Sequence, residues 1–371
     1  MHARVAEATG GVREDRIARL RLIRTATVGP VTYRQLLARF GDAAAALAAV
    51  PDLARRGGGK PPAVPPAGAI EREVEAVEAA DARYLFLGLP GYPAALAEIQ
   101  TAPPALIVRG DRALVDRPVV AIVGARNASA AACRFARGLG HDLGARGVTV
   151  ASGLARGIDT AAHMGALDGG TVAVIAGGID IVYPPENAEL QEQVARRGLL
   201  VAEQPPGTEP RARHFPYRNR IIAGLAQAVV VVEAAPKSGS LITARHAADY
   251  GREVLAVPGS PLDPRAQGCN QLIRDGATLI QTADDVMEAV RPIDPRGGIA
   301  EPAGGWSGPR AADADDRDRA VVTGLLGPAA VPVDEIVRQS GRPPAIVQTV
   351  LLELELAGRL DRHAGGQVSL A

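Results

Sequence analysis

The chain has 371 residues, 41 basic and 41 acidic side chains, and 47% hydrophobic but only 3% aromatic residues. This length predicts two or three folding units, and a formal net charge of zero excludes nucleic-acid binding through the field of the whole molecule. The two cysteines, Cys133 and Cys269, have no metal-site spacing and form no disulfide framework, and no apolar run is long enough to span a membrane. We therefore expect a cytoplasmic protein without a membrane partner, and any basic binding site must be local.

Residues 1–65 are predicted to form a small helical domain, because apolar residues recur at helical spacing on both sides of a turn at 27–30. One interpretation of this domain is a relative of the helix-hairpin-helix, which contacts backbone phosphates. A packing module is the alternative. The Gly- and Pro-rich stretch at 57–68 is typical of a linker.

Residues 66–291 are predicted to form an α/β domain with a doubly wound, mostly parallel sheet, because near-continuous apolar runs alternate with helical segments. The predicted strands lie near 118–123, 147–151, 171–176, 198–202, 228–233, 253–257 and 277–280. Ligands of such sheets bind at the carboxyl ends of the strands. The turns that follow the strands are therefore the candidate binding positions.

Residues 292–315 are rich in Pro, Gly and Asp and are predicted to be a linker. The segment 316–371 then has three helical stretches and a hairpin around 364–366, which is the order of a winged helix. Its third helix offers Gln348, Thr349, Glu353 and Glu355 but no basic residue. These features favour a protein contact or a packing role over reading of the DNA major groove.

Several predicted strands end in turns of small or basic residues. Gly124 and Arg126 follow one strand, Ser152-Gly-Leu-Ala-Arg-Gly-Ile-Asp159 follows the next, and Lys237-Ser-Gly-Ser240 follows a later one. We interpret Asp159 as a helix cap. Backbone N–H groups of such turns point towards an anion, so several phosphate-sized turns predict a polyanion rather than one small ligand.

The stretch 211–220 has four arginines, one histidine and no acid, interleaved with Phe215, Tyr217 and Asn219. Basic side chains that follow a nucleic-acid backbone, together with aromatic rings under the bases, are typical of sites for single-stranded nucleic acid. The alternative interpretation makes Phe215 a core residue and the arginines a solvated face.

Other kinds of site fit the sequence less well. The second and third glycines of a dinucleotide fingerprint are missing after Gly124, and Arg126 stands there instead. Asp159 and His163 are four residues apart, but a cap and a structural polar contact are favoured, because no third metal ligand lies at suitable spacing. We predict no metal site, no cofactor and no catalytic residue.

Five ordered motifs between 84 and 290 resemble the DNA-processing protein A (DprA/Smf) family. They are Val123-Gly-Ala-Arg126, Ser152-Gly-Leu-Ala-Arg-Gly-Ile-Asp159, Gly177-Gly-Ile-Asp180 with Tyr183-Pro-Pro-Glu-Asn187, Phe215-Pro-Tyr-Arg-Asn-Arg-Ile-Ile-Ala-Gly224 and Ser238-Gly-Ser-Leu-Ile-Thr-Ala244. The resemblance implies an extended Rossmann-like domain between a SAM-like helical N-terminus and a C-terminal winged helix. It also implies a homodimer that binds single-stranded DNA and loads RecA in natural transformation. The missing dinucleotide glycines and the lack of clustered metal ligands predict a binding protein without enzymatic activity.

The turns and the resemblance together predict a set of DNA-contacting residues. These are Gly124, Arg126, Ser152, Gly153, Arg156, Phe215, Arg218, Asn219, Arg220, Lys237, Ser238, Gly239 and Ser240. The dimer contact is predicted at Leu272 and Ile273. The rival is a phosphoribohydrolase of the same Rossmann-like superfamily, but the catalytic Glu of that family's glycine-rich turn is absent from 237–244. A structural scaffold with incidental basic turns is a third interpretation.

Overall fold

The structure, a computed structural model, describes residues 2–290, 313–363 and 365–371, with side chains described from Arg13 onward. These residues divide into two compact units. The terminal unit combines the residues up to Arg72 with those from Asp313 onward, and the α/β unit runs from Glu73 to Val290. Of the predicted linker at 292–315, only the last three residues lie within the described part. No helix of the described chain is both long enough and apolar enough to cross a membrane.

Four helices precede the first strand, and they confirm the predicted helical N-terminus. They are α1 (His2–Ile23), α2 (Pro30–Phe40), α3 (Ala43–Arg56) and α4 (Ala67–Ala79). Pro30 occupies the first position of α2, where a missing N–H leaves no helical hydrogen bond unmade. The side chain of Asp42 caps α3 by accepting a hydrogen bond of 2.8 Å from the N–H of Ala45.

The strands of the α/β unit that the structure describes form one sheet. They are β1 (Arg83–Phe86), β2 (Ala105–Gly110), β3 (Val119–Gly124), β4 (Thr149–Ser152), β5 (Thr171–Val174), β6 (Leu199–Ala202), β7 (Ala228–Val232), β8 (Glu253–Ala256) and β9 (Thr278–Leu279). Their order across the sheet is β1-β2-β6-β5-β4-β3-β7-β8-β9. The seven neighbouring strands from β6 across the sheet to β9 are parallel to one another. Strand β2 is antiparallel to both of its neighbours, β1 and β6. The predicted doubly wound, mostly parallel sheet is confirmed.

Helices cover both faces of this sheet. They are α5 (Ala94–Ala97), α6 (Ala130–Ala145), α7 (Ile158–Ala166), α8 (Ala188–Arg197), α9 (His214–Leu225), α10 (Gly239–Asp249), α11 (Gln267–Arg274) and α12 (Ala283–Ala289). Alternate residues of a strand point to opposite faces. Val120 and Ile122 of β3 accordingly share a core with α6, α7 and α12, whereas Ala121 and Val123 share one with α9, α10 and α11. Burial on both faces explains the unbroken apolar sequences of these strands.

The chain reverses its direction across the sheet at β3, which has β4 on one side and β7 on the other. Helix α6 follows β3 on one face, and α10 follows β7 on the opposite face. The carboxyl ends of β3 and β7 therefore flank the crevice in which doubly wound sheets bind their ligands. We call this position the switch point.

The C-terminal part of the terminal unit is a winged helix, as predicted. Its elements are α13 (Asp316–Gly324), β10 (Val331–Pro332), α14 (Val333–Ser340), α15 (Pro344–Leu356), β11 (Leu360–His363) and β12 (Gln367–Leu370). The three strands form an antiparallel sheet in the order β10-β12-β11. Within the predicted hairpin at 364–366, Ala364 lies outside the described residues.

Helix α15 is buried along nearly its whole length, because it serves two cores at once. One face packs in the winged-helix core with Val322 and Ile336. On the other face, Leu352 and Leu356 share a core with Leu36 of α2. The helix that a DNA-reading winged helix would present to the major groove is thus the centre of the terminal unit.

The polar side chains of α15 are also engaged within the terminal unit. Gln35 donates a hydrogen bond of 2.8 Å to Gln348, and Arg39 donates one of 3.1 Å to Thr349. Glu353, with its side chain fully buried, accepts two hydrogen bonds from Arg319 at 2.8 and 3.0 Å. These contacts are the protein contact and packing role that the sequence favoured for this helix.

Candidate nucleic-acid interface

A cluster of cationic and aromatic side chains lies at the carboxyl edge of the parallel strands. Phe215, in the first turn of α9, has the guanidinium carbon of Arg126 at 5.0 Å and that of Arg218 at 6.0 Å from its ring centroid. The ring of Tyr183 lies 5.7 Å from that of Phe215, at an interplanar angle of 53°. We call these four residues the Phe215 cluster. Its aromatic faces and guanidinium groups are the two features that a single-stranded nucleic acid requires of a binding surface.

The members of the Phe215 cluster differ in exposure. Arg126 and Tyr183 are exposed, Tyr183 by 45%, and Phe215 is partly exposed. Arg218 is only 6% exposed, and its Nη1 donates a hydrogen bond of 2.8 Å to the carbonyl oxygen of Val174 at the end of β5. Arg218 was predicted to contact a phosphate, but its side chain lies below the surface. From there its charge and its packing act on the ring of Phe215.

Electrostatics tie Arg218 to a buried carboxylate in the turn after β4. Burial lowers the pKa of Arg218 to about 10, an effect that Asp159 opposes and Arg126 reinforces. Burial likewise raises the pKa of Asp159, against the opposing effect of Arg218 and of two backbone N–H groups. The two opposite charges lie together beneath the Phe215 cluster, and each partly offsets the cost of burying the other.

The glycine-rich turn after β4 does not present its backbone to an external anion as the sequence predicted. The carboxylate of Asp159 accepts hydrogen bonds from the N–H groups of Gly153 and Ala155, at 3.1 and 3.3 Å. Gly157, not Asp159, occupies the N-cap position of α7. The turn is thus folded around the protein's own carboxylate, so two N–H groups predicted to face a phosphate already have a partner.

Three other predicted residues of the first two turns, Ser152, Gly124 and Gly153, have packing or hydrogen-bonding roles beneath the sheet edge. Ser152 is fully buried, and its hydroxyl donates a hydrogen bond of 2.6 Å to the carbonyl oxygen of Ile122. A Cβ atom on Gly124 would lie 2.0 Å from the carbonyl oxygen of Val232, and one on Gly153 would lie 1.8 Å from Nη1 of Arg218. These glycines permit close packing beneath the edge of the sheet. Arg156 is exposed and forms an ion pair with Glu186.

Arg220 points away from the Phe215 cluster, contrary to its predicted role. Its guanidinium group forms an ion pair with Glu203 and donates a hydrogen bond to the carbonyl oxygen of Thr101, and the residue is 6% exposed. The neighbouring Asn219, 9% exposed, donates a hydrogen bond of 3.2 Å to the carbonyl oxygen of Gly239. Neither side chain lies on the surface of the cluster, so both anchor α9 instead.

The turn before α10 retains most of its predicted character. Lys237 is exposed and has a positive φ of 67°, and Gly239 beside it is also exposed. Ser238 is the N-cap residue, and its hydroxyl lies 2.8 Å from that of Ser240 and accepts a longer hydrogen bond from the N–H of Ser240. The two serines thus cap the helix, while Lys237 and Gly239 remain accessible.

The predicted dimer residues lie on α11, beyond the switch point. Leu272 and Ile273 are partly buried and pack against the same core as α9 and α10. Strand β9 follows at the edge of the sheet, and Leu279 on it is 46% exposed. A partly covered apolar surface therefore adjoins a strand edge at this end of the molecule.

Three residues of this edge were not predicted from the sequence as site residues. Tyr183 belongs to a motif used for the family resemblance. An aromatic residue in a turn is unusual in a chain with so few aromatics, and this could have marked it as a site residue. Arg213, just before α9, is exposed and belongs to the acid-free stretch at 211–220. Glu233 carried no signal, because its contact with Ser129 depends on which strand is adjacent to β7.

His163 is a core residue rather than a ligand. It is fully buried, and its Nδ1 lies 2.7 Å from the hydroxyl of Thr171. Burial, reinforced by Arg218, lowers the pKa of His163 to about 3. Within the part of the chain that the structure describes, no three His, Cys, Asp or Glu side chains are grouped so as to hold a metal ion.

Comparison with known families decides the relationship of this chain. Residues 83–291 match the family model of DNA recombination-mediator protein A, residues 13–76 match a DprA-like N-terminal HHH domain, and residues 307–366 match the DprA winged helix domain. The chain belongs to the DNA recombination-mediator protein A family. The family resemblance predicted from the five motifs is confirmed.

Individual DprA/Smf proteins are similar to the chain over much of its length. The DNA processing protein DprA of Streptococcus pneumoniae is 45% identical over 202 residues, which are 53% of this chain and 70% of that protein. Protein Smf of Escherichia coli is 38% identical over 292 residues, or 75% of either chain.

Two solved DprA structures have the same fold. The X-ray structure of DprA from S. pneumoniae is similar with a TM-score of 0.58 and 38% identity, covering 62% of this chain and 80% of that one. DprA from Helicobacter pylori, whose structure describes a single-stranded DNA binding mode, is similar with a TM-score of 0.51 and 29% identity. That match covers 56% of this chain and 94% of the Helicobacter chain. The Rossmann-like assignment of the α/β unit is confirmed.

Proposed function

We propose that this chain binds single-stranded DNA through the Phe215 cluster and delivers the strand to the recombinase RecA during DNA uptake. The Phe215 cluster is the observation that carries the proposal. It combines an exposed guanidinium with two accessible aromatic rings at the sheet edge where doubly wound folds bind ligands. Lys237 and Gly239 extend the accessible surface beyond the switch point. The single-stranded DNA binding mode described for the Helicobacter relative supports the same ligand class.

The proposal describes a binding protein and not an enzyme. The turns that would hold the phosphate of a nucleotide substrate are already filled by Asp159 and Glu233. The turn at 237–244 lacks the Glu that phosphoribohydrolases use, and Ser238 and Ser240 bond with each other there. Membership of a recombination-mediator family supports the same conclusion.

Salt dependence of DNA binding tests the proposed surface. Arg126→Ala should weaken binding of a labelled oligo(dT) and lower the slope of log affinity against log salt by about 0.7, the value for one phosphate contact on a single strand. Arg137→Ala is the matched control, because Arg137 is also an exposed arginine but lies two turns into α6. Fluorescence anisotropy at several salt concentrations measures both quantities. Equal effects of the two variants would place the site elsewhere.

The mediator role needs a separate assay. The purified protein should speed assembly of RecA filaments on DNA coated by single-strand-binding protein, and Arg126→Ala should reduce this effect in proportion to its lost affinity. The same preparation should release no free base from nucleoside monophosphates. Release of base that a single substitution at the switch point abolishes would favour the phosphoribohydrolase interpretation instead.

A further inference from the structure

Two hydrogen bonds join the loops on either side of the switch point. Glu233 follows β7 directly, and its carboxylate accepts hydrogen bonds from the N–H and the hydroxyl of Ser129, at 2.8 and 2.6 Å. Ser129 is the N-cap residue of α6, and its hydroxyl also accepts a hydrogen bond from the N–H of Ala132. Glu233 therefore connects the end of β7 to the start of the helix that follows β3.

The carboxylate of Glu233 occupies the place where a doubly wound fold ordinarily holds a ligand phosphate. Such phosphates lie at the N-terminus of the helix after the first strand, where backbone N–H groups and the helix dipole favour an anion. The backbone of Glu233 has a φ of 53°, which lies in the left-handed region that residues other than Gly, Asn and Asp rarely adopt. A residue in this conformation persists where surrounding contacts hold it.

The loop that carries Arg126 is held at both of its ends. At its start, the carbonyl oxygen of Ala125 accepts a hydrogen bond of 3.2 Å from the N–H of Ile158. At its end, Ser129 is bound by Glu233. Arg126 lies between these anchors, with its guanidinium group over the ring of Phe215.

We propose that Glu233 is a positioning residue for single-stranded DNA: its carboxylate holds Ser129 so that the loop presents Arg126 over Phe215. This inference rests on the proposed function of the Phe215 cluster. It makes a counterintuitive claim, because Glu233 is an acid close to a DNA-binding surface. Charge alone would make its removal strengthen DNA binding, whereas positioning makes its removal weaken binding.

Two substitutions separate positioning from charge. Glu233→Gly removes the side chain and suits the positive φ, so the end of the strand is not strained by the change. Glu233→Gln removes the charge. The amide oxygen of Gln can still accept a hydrogen bond from the N–H of Ser129, and its NH2 group can donate one to the hydroxyl. We expect Glu233→Gly to weaken oligo(dT) binding by about fivefold to tenfold and to lower the salt slope by about 0.7, as one lost phosphate contact does. We expect Glu233→Gln to stay within about twofold of the parent chain.

Anisotropy titrations of the full chain at several salt concentrations, with circular dichroism to confirm folding, make the measurement. The double variant with Arg126→Ala and Glu233→Gly should bind no more weakly than Arg126→Ala alone, because both changes remove the same contact. If Glu233→Gly does not fold, Glu233→Asn replaces it, since Asn tolerates a positive φ and is too short to span both bonds.

The outcomes distinguish this inference from the proposed function. If Arg126→Ala leaves affinity and slope unchanged, the proposed surface itself fails. If Arg126→Ala weakens binding while Glu233→Gly leaves it unchanged or strengthens it, the surface stands and the positioning role of Glu233 is overturned. Full additivity of the double variant would also overturn it.

Discussion

Three carboxylates hold the turns at the carboxyl edge of the sheet. Asp159 binds the turn after β4, Glu233 binds the N-terminus of α6, and Asp180 accepts the N–H of Gly207 at 2.9 and 3.0 Å. Turns of this kind bind phosphate in many nucleotide enzymes, because their N–H groups converge on an anion. Here carboxylates of the protein itself accept the hydrogen bonds from those N–H groups. Under the proposed function, recognition of a phosphate backbone depends on side chains such as Arg126.

Phe215 should contribute to affinity but not to its salt dependence. Phe215→Ala removes a stacking surface, and stacking on one base is worth about 1–3 kcal/mol. No phosphate contact is lost, so the salt slope should stay within experimental error of the parent slope. Anisotropy titrations give both values. A fall in slope as large as that of Arg126→Ala would instead assign Phe215 a role in holding Arg126.

His163 should make the α/β unit sensitive to acid. Its pKa in the folded chain is about 3, well below its ordinary value of 6.5, so the unfolded chain binds the proton more readily. Protonation of this imidazole therefore favours the unfolded chain. His163 costs no stability above pH 6.5, and below it the free energy of unfolding falls by about 1.4 kcal/mol for each pH unit, down to about pH 3.

Denaturant unfolding between pH 7 and pH 4.5 measures this acid sensitivity. His163→Asn should show a shallower loss of stability than the parent chain, because the variant has no group to protonate at this position. His141→Asn is the control, since His141 is exposed. Identical pH profiles of the His163 variant and the parent would contradict the assignment.

At the scale of elements, α9 shows why its two arginines have different roles. The sequence predicted one basic binding surface along 211–220, but the structure has the helix α9 from His214 to Leu225. Residues two apart on a helix are about 200° apart around its axis. Arg218 therefore points towards the end of β5 and Arg220 towards Glu203. Charge pattern alone predicted a shared surface, and only the helical assignment separates them.

The strands show the same limit of sequence analysis. The central strands were predictable because burial on both faces requires continuous apolar runs, as in β7. Strands β1 and β2 were not predicted. They form the antiparallel edge of the sheet, and β1 is partly exposed, so its pattern is less distinctive. The position of Glu233 opposite Ser129 could not be predicted either, because it depends on the pairing of β3 with β7.

Helix α15 should control the stability of the terminal unit without affecting DNA binding. Leu352 is buried against the N-terminal helices, so Leu352→Ala should destabilise that unit by about 2–5 kcal/mol. In calorimetry, the unfolding transition of the terminal unit should move to a lower temperature. The transition of the α/β unit should stay unchanged. Oligo(dT) affinity at 20 °C should remain within about threefold, as expected if the Phe215 cluster alone forms the site. A larger loss of affinity in a folded sample would place part of the DNA site in the terminal unit.

At the scale of the whole molecule, we expect the homodimer predicted from the sequence to form through α11. Ile273→Arg should give a monomer in sedimentation velocity, because it places a charge in the partly covered apolar surface next to β9. Gln271→Arg is the matched control, since Gln271 is an exposed residue of the same helix. An unchanged dimer for a folded Ile273→Arg variant would exclude this surface.

The terminal unit is assembled from the two ends of the sequence, and this affects how the chain is made. During translation, α1, α2 and α3 leave the ribosome first. Leu352 and Leu356, which complete the core of these helices, are translated only after the whole α/β unit. Until then, Leu22, Leu36 and Leu53 lack part of their packing surface. Such nascent helices are natural targets for chaperones that hold exposed apolar segments. We expect arrested chains that stop before residue 344 to be cut by protease between residues 13 and 56, and full-length chains to resist cleavage there.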